Sequence, residues 1–231
     1  MYKRFFKRWL DFLLVLCALL LIWPVLVVLT VIGAIMMKGN PFFLQPRPGR
    51  DEKIFNLIKF RTMSNCVDEE GEPLPDHERL SGYGKFLRKT SLDELPELLN
   101  ILKGDMSLVG PRPQLVRDMV FMTPGERRRH SVLPGLTGLA QVNGRNNIPW
   151  EKKFEYDLQY IEKITFLGDL GIFLKTFGKV LRQEDINQHG DEIPADLGDY
   201  LLACGKVTEE EYRQKQAQAK KLLEEWKSCG R

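Results

Sequence analysis

Residues 12–37, FLLVLCALLLIWPVLVVLTVIGAIMM, constrain this chain more than any other stretch, because they form one uncharged apolar run. The run exceeds the roughly 20 residues a helix needs to span a bilayer. It is too long for the apolar region of a secretory signal, and no small-residue cleavage site follows it. Pro24, preceded by Trp23, lies near its centre, where a proline removes a helical hydrogen bond and kinks or breaks the helix. Both flanks are basic: Lys3, Arg4, Lys7 and Arg8 before the run, Lys38, Arg47 and Arg50 after it. A spanning helix normally leaves one flank poor in Lys and Arg. Two topologies stay open, a single-pass anchor with a tolerated proline, and a helix-break-helix that turns at Trp23-Pro24 and leaves by the face it entered. The second needs partners for the backbone groups freed at the bend.

The 231 residues are enough for one domain of ordinary size, and a formal net charge of +3 with no base-reading motif gives no support to a nucleic-acid partner. Cys17, Cys66, Cys204 and Cys229 are too widely spaced for a zinc motif and read as free thiols. His77, His130 and His189 belong to no ligand motif and read as satisfied surface or core histidines.

The densest chemistry lies between Arg88 and Pro113. Leu95, Leu98, Leu99 and Leu102 repeat with helical spacing, behind the adjacent carboxylates Asp93 and Glu94. Ser91-Leu92-Asp93-Glu94 fits a capping box, which would make the acids structural. Pro96 fits better in the first turn of a helix that starts near Asp93, which would place both acids at a helix mouth suited to phosphate. Spacing alone leaves cap and active site both open. Gly104 is a candidate C-cap, and Gly110-Pro111-Arg112-Pro113 is a stiff turn that aims Arg112, a residue type suited to bidentate phosphate binding.

Around this centre the reading is coarser. Residues 41–63 predict a hairpin, with Lys59 and Arg61 on one face as diphosphate ligands or as a solvated edge. Residues 64–84 predict a polar surface loop. A short helix is expected after Thr123-Pro124, its run Arg127-Arg128-Arg129 solvated. Glycine-rich residues 132–145 suit close backbone approach. Helices are expected over 150–163 and 167–181, a polar linker over 183–198, and a capped helix over 207–231 that serves as a packing or homodimer contact.

These residues together resemble the monotopic phosphoglycosyl transferases, the bacterial sugar transferase family that starts lipid-linked glycan assembly. The shared blocks run from about Lys3 to about Thr176: the anchor with Pro24, Gln45-x-Arg47-x-Gly49, Lys59-Phe-Arg-Thr-Met63, Arg88-Lys-Thr-Ser-Leu-Asp-Glu-Leu-Pro-Glu-Leu, Gly104-Asp-Met-Ser-Leu-Val-Gly-Pro-Arg-Pro113, and Pro134-Gly-Leu-Thr-Gly-x-x-Gln-Val142. Trp23 departs from the small polar residue frequent in the family before this proline. The resemblance implies an α+β, mainly α fold: a re-entrant membrane anchor (1–38), a compact catalytic domain on the cytoplasmic face of the bacterial inner membrane (39–182), and a linker with a helical tail (183–231). It implies transfer of a sugar phosphate from a UDP-sugar to polyprenyl (undecaprenyl) phosphate, with Asp93 as nucleophile and Glu94 assisting. It implies Mg²⁺ held by Asp93, Glu94 and Asp105, with Arg88, Arg112, Lys59, Arg61 and Gln141 binding substrate. Two rivals use the same residues differently, a membrane-anchored, metal-dependent nucleotide-sugar phosphohydrolase and a non-catalytic membrane scaffold.

Overall fold

Apolar side chains that tolerate helix fill residues 12–36, and the chain is helical from Lys7 to Met36 (α1), with Pro24 inside it. The computed structural model describes residues 2–68, 70, 72, 74–144, 148–182 and 196–229. The expected break at Pro24 does not occur. A proline forfeits its own N–H bond and crowds the carbonyl one turn back. The neighbouring backbone groups still gain most by remaining helical when water is scarce. Among the described residues, α1 is the one helix long and apolar enough to cross a membrane.

One stripe of α1 nevertheless touches the rest of the protein along its whole length. Arg8 Nη1 and Nη2 donate to the carbonyls of Ile101 and Leu102 at 2.5 and 3.1 Å. Asp11 accepts from Ser107 Oγ at 2.5 Å. Val15, Leu19 and Ile22 pack with Leu57, Leu98, Ile101 and Met106. Leu26 and Leu29 pack with Phe60, Leu87 and Tyr83, whose hydroxyl donates to Leu29 O at 2.8 Å. Next to Arg8, Lys7 Nζ sits 2.6 Å from Asp169 Oδ2, an oxygen that also accepts from the Tyr2 hydroxyl. The opposite face of α1 is exposed, including Trp9, Leu13, Leu20, Leu21, Trp23, Val28 and Ile35.

The predicted hairpin forms as β1 (Phe42–Pro48) antiparallel to β2 (Ile54–Phe60), with Phe42 opposite Phe60 and Phe43 opposite Lys59. Pro46 and Pro48 are tolerated because a two-stranded sheet has only edges. The turn uses Gly49 N–H to Lys53 O at 2.8 Å and Asp51 at φ 55°.

Helix α2 (Gly82–Thr90) is capped by Ser81, whose Oγ accepts from Gly84 N–H at 2.9 Å. It ends at Ser91 with φ 56°. Ser91 is therefore the end of one helix, and its side chain caps nothing. Leu92–Glu94 form a 3₁₀ turn, and α3 (Glu97–Lys103) starts only after Pro96. Pro96 lacks the N–H a helix interior requires, so it marks the start. Asp93 and Glu94 thus sit on a turn between two helices, neither in a capping box nor on the leucine helix itself. Gly104, at φ 96°, terminates α3 as predicted.

Strand β3 (Ser107–Val109) runs parallel to β4 (Gly135–Thr137). The two approach so closely that a Cβ on Gly135 would lie 2.1 Å from Gly110 N. Helices α4 (Trp150–Glu162) and α5 (Phe166–Arg182) follow. Helices α6 (Leu197–Ala203) and α7 (Glu209–Ser228) belong to the tail. Leu197 and Ala219 are buried against Phe121, Trp150 and Phe154, so the tail packs on the body. The expected linker lies outside the described residues up to position 195, as do His189, Arg145 and part of the 64–84 loop. The architecture is mainly helical with two small sheets, in line with α+β, mainly α. The four cysteines are free and exposed.

Gly135→Ala places a methyl group into the backbone of residue 110. The variant should lose at least about 3 kcal/mol of stability, the upper range for overpacking, read as a lowered unfolding midpoint in detergent.

Candidate active site

The centre of the site is a carboxylate held by two cations. Glu94 Oε1 accepts from Lys59 Nζ at 2.9 Å and from Arg112 Nη2 at 2.5 Å. The hairpin delivers Lys59 and the 110–113 turn delivers Arg112. Burial alone would raise the Glu94 carboxyl, but Arg112 and Lys59 outweigh it and hold it well below the usual carboxylate range. In return Glu94 raises the Arg112 guanidinium further above its ordinary value.

Lys59 has a second carboxylate, Glu97 Oε1, at 3.1 Å. That contact is a charge pair without hydrogen-bond geometry, and Glu97 is only 1% exposed. Burial, then repulsion from Glu94, pushes the Glu97 carboxyl up to about 7. Asp93 differs from both. It makes no hydrogen bond or ion pair among the described residues. Burial, then Glu94, lifts its carboxyl to about 6, while Lys59, Arg112 and Arg88 pull the other way. Near neutral pH Asp93 is mostly ionised and uncommitted, the state a nucleophile needs.

Arg88 donates from Nε to Thr62 Oγ1 at 3.1 Å, with its charge still acting on Asp93. The other candidates are placed less centrally. The Arg61 guanidinium joins no ion pair among the described residues, and its backbone N–H pairs with Pro41 O at 2.7 Å. Gln141 turns its amide to Leu136 O at 3.1 Å. Asp105 stands past the far end of α3, where Oδ2 accepts from Asn100 Nδ2 at 3.2 Å. Asn100 also bonds Asn56 O and Ile58 N–H, so Asp105 braces the hairpin and is not gathered with Asp93 and Glu94.

No group of three or more His, Cys, Asp or Glu among the described residues is arranged to enclose a metal. Mg²⁺ does not require such an enclosure, since it commonly binds through one or two carboxylates with substrate phosphates and water. The unpartnered Asp93 carboxylate and the second oxygen of Glu94 fit that kind of site; Asp105 does not contribute.

The 110–113 turn is braced from behind by two arginines, Arg129 buried and Arg47 half-buried, that the sequence did not single out for the site. Arg129 donates from Nε and Nη2 to Asp157 Oδ2 at 2.9 and 2.6 Å, and Nη2 also reaches Arg112 O at 2.6 Å. The Arg129 side chain is 1% exposed, so the run expected to be solvated is partly core. Arg47 Nη1 donates to Pro113 O at 3.2 Å, and its Nε and Nη2 to Gln45 Oε1. Burial, then the charge of Arg112, lowers Arg47 to about 10, so it remains a cation. A small cleft of about 10 Å³, room for about one water, lies against Arg112 and is lined also by Pro48, Pro111, Pro113, Arg129, His130 and Pro134. His130 is not a satisfied histidine: both ring nitrogens are buried without a hydrogen bond, and Glu52 Oε1 stands 3.5 Å from Nδ1. Glu97 had a sequence signal, three and four residues beyond the acid pair. Arg129 and Asp157, 28 positions apart, had none.

The family described as bacterial sugar transferase matches residues 2–183. The sugar transferase EpsL of Bacillus subtilis, described as uncharacterized, is 51% identical over 164 residues, covering 70% of this chain and 81% of that protein. The UDP-glucose:undecaprenyl-phosphate glucose-1-phosphate transferase of Klebsiella pneumoniae is 39% identical over 184 residues, covering 75% of this chain and 40% of that protein. The undecaprenyl-phosphate galactose phosphotransferase of Salmonella typhimurium is 34% identical over 200 residues, covering 79% of this chain and 42% of that protein. The chain therefore spans about two fifths of the length of these last two relatives.

Arg129→Met should cost about 3–5 kcal/mol by leaving Asp157 buried and unpaired, and adding Asp157→Leu should recover most of it, as measured by unfolding midpoints. His130 makes a second, pH-dependent prediction. Burial, then Arg129, lowers its folded pKa to about 4, below the unfolded value near 6.5. Its contribution is complete above the unfolded value and is lost as pH falls towards the folded one, about 2 kcal/mol by pH 5. The unfolding free energy of the wild type minus that of His130→Leu, from denaturant titrations, should fall by about that amount from pH 7 to pH 5.

Proposed function

The chain belongs to the bacterial sugar transferase family, and we propose that it moves a sugar phosphate from a UDP-sugar to polyprenyl phosphate, releasing UMP. The observation that carries this reading is the pairing of an uncommitted Asp93 with a Glu94 fixed by Lys59 and Arg112. One carboxylate is free to react, and the cations beside it suit the charge of a diphosphate. The names of the relatives point to the same donor and acceptor class.

In the first half-reaction an Asp93 oxygen attacks the β-phosphorus of the donor. The bond from that phosphorus to the bridging oxygen breaks, and UMP leaves with the oxygen and its electron pair. The sugar phosphate is now an acyl phosphate on Asp93. In the second, a phosphate oxygen of the lipid attacks the same phosphorus, the bond to Asp93 breaks, and the carboxylate is regenerated. Arg112, Lys59 and Arg88 hold and neutralise phosphate oxygens, which is most of what phosphoryl transfer asks of a protein. Asp93 and Glu94 would hold Mg²⁺, which would supply further charge neutralisation on the phosphates. Glu97 keeps Lys59 in reach of Glu94.

The same proposal includes a monotopic anchor on the cytoplasmic face of the bacterial membrane. Both halves of α1, from Arg8 to Tyr83-bound Leu29, contact one body. A helix crossing the bilayer would carry its distal half away from that body. The outward face of α1 and the exposed stripe Phe166, Leu167, Leu170, Phe173, Leu174 and Phe177 of α5 give lipid two apolar surfaces, joined where Tyr2 meets Phe166 at 6.0 Å.

Purified protein with Mg²⁺, undecaprenyl phosphate and a panel of UDP-sugars should release UMP with one donor only when the lipid is present. Asp93→Asn should fall by several orders of magnitude while binding donor normally. Equal UMP release without lipid would establish a hydrolase instead.

A further inference from the structure

We propose that Phe43 forms the apolar lip of the acceptor subsite, over which the polyprenyl chain passes as its phosphate reaches Lys59. The inference rests on the transferase reading. The hairpin register places Phe43 directly opposite Lys59. Opposed residues of an antiparallel pair share a face, with Cβ atoms about 5 Å apart. Phe43 therefore lies on the same face as the ammonium group that reaches Glu94 and Glu97. Lys59 is mostly covered there, its side chain 16% exposed, while Phe43 is left 43% exposed.

The neighbouring residue shows which way the strand is oriented. Phe42 points to the other face, stacks on Phe60 at 5.4 Å, and packs with Leu26 and Leu29 of the membrane anchor. β1 thus leaves the anchor with one aromatic against α1 and the next beside the catalytic cation. Only six residues separate the end of α1 at Met36 from Phe43.

The ligand that fits a buried cation with an exposed aromatic beside it, next to a membrane helix, is an amphiphile with an anionic head. A UDP-sugar can stack its uracil on a phenyl ring, but it has no apolar chain that must lead back to the lipid. The acceptor does: its first isoprene units must run from the phosphate at Lys59 back to the lipid phase, and the exposed Phe43, opposite Lys59 on the strand that follows α1, offers an apolar surface for that path.

The test uses full-length protein in detergent micelles with undecaprenyl phosphate and the UDP-sugar that supports turnover. Phe43→Ser should raise the KM for the lipid about fivefold, the value of the apolar contact that the half-exposed ring can still make. The KM for the donor and kcat at saturating lipid should stay at wild-type levels. Phe43→Leu, which keeps an apolar side chain, should restore most of the lipid affinity. An unchanged lipid KM in Phe43→Ser, or an equal rise in the donor KM, would overturn the inference and leave the transferase reading standing. Absence of lipid-dependent turnover in the wild type would overturn both.

Discussion

Three carboxylates within five residues cannot remain charged in a half-buried pocket unless cations are brought to them. That requirement organises the molecule. Glu94 and Glu97 share Lys59, and Glu94 also takes Arg112. An unpaired charge in such a place costs several kcal/mol. The hairpin, the start of α3 and the 110–113 turn must therefore meet in one arrangement, since any other strands a charge. Asp93 is the carboxylate left over. Burial, then the charge of Glu94, raises its carboxyl, while Lys59, Arg112 and Arg88 pull the other way.

The cations need support of their own. A flexible arginine at a phosphate site would lose much of its advantage in ordering entropy. Here the Arg112 backbone is gripped through its carbonyl by Arg129, while Arg47 holds the next carbonyl and Gly110 N–H bonds Thr137 O at 2.8 Å. Arg129 is in turn fixed by Asp157 from α4. Buried ion pairs seldom stabilise a fold more than apolar packing would. Their use here is geometric, since a guanidinium can bind a carboxylate and a carbonyl at once and aromatic or aliphatic side chains cannot.

What could be read in the sequence was local. The hairpin with its turn, the Gly104 stop, the short helix after Thr123-Pro124, the capped tail helix and the two long helices after Trp150 each depend on residues near one another in the chain, and each formed. Ser91 to Glu94 looked like a cap because the motif is four residues long; Pro96, two positions further on, moved the helix start beyond it. The Asp-Glu pair and Arg112 could be found from adjacency and stiffness. Asp105 came from the family resemblance alone, and in the structure α3 lies between it and the pair. The braces were out of reach, because nothing near Arg129 announces that its partner stands on another helix. Arginine in a basic run looks solvated until the fold encloses it.

The contact stripe on α1 changes what the apolar segment is. Val15 and Leu29 are as buried as residues of any interior strand, and Arg8 terminates the helix that carries Glu97. The segment is then one wall of the protein, with lipid as its outer cladding, rather than a tether to which an independent enzyme is tied. A wall cannot be exchanged freely. An unrelated hydrophobic helix of the same length would hold the body at the bilayer but leave grooves where Val15, Leu19, Ile22, Leu26 and Leu29 had been. The same helix therefore closes the interior with one face and, on the proposed membrane reading, offers the other to lipid.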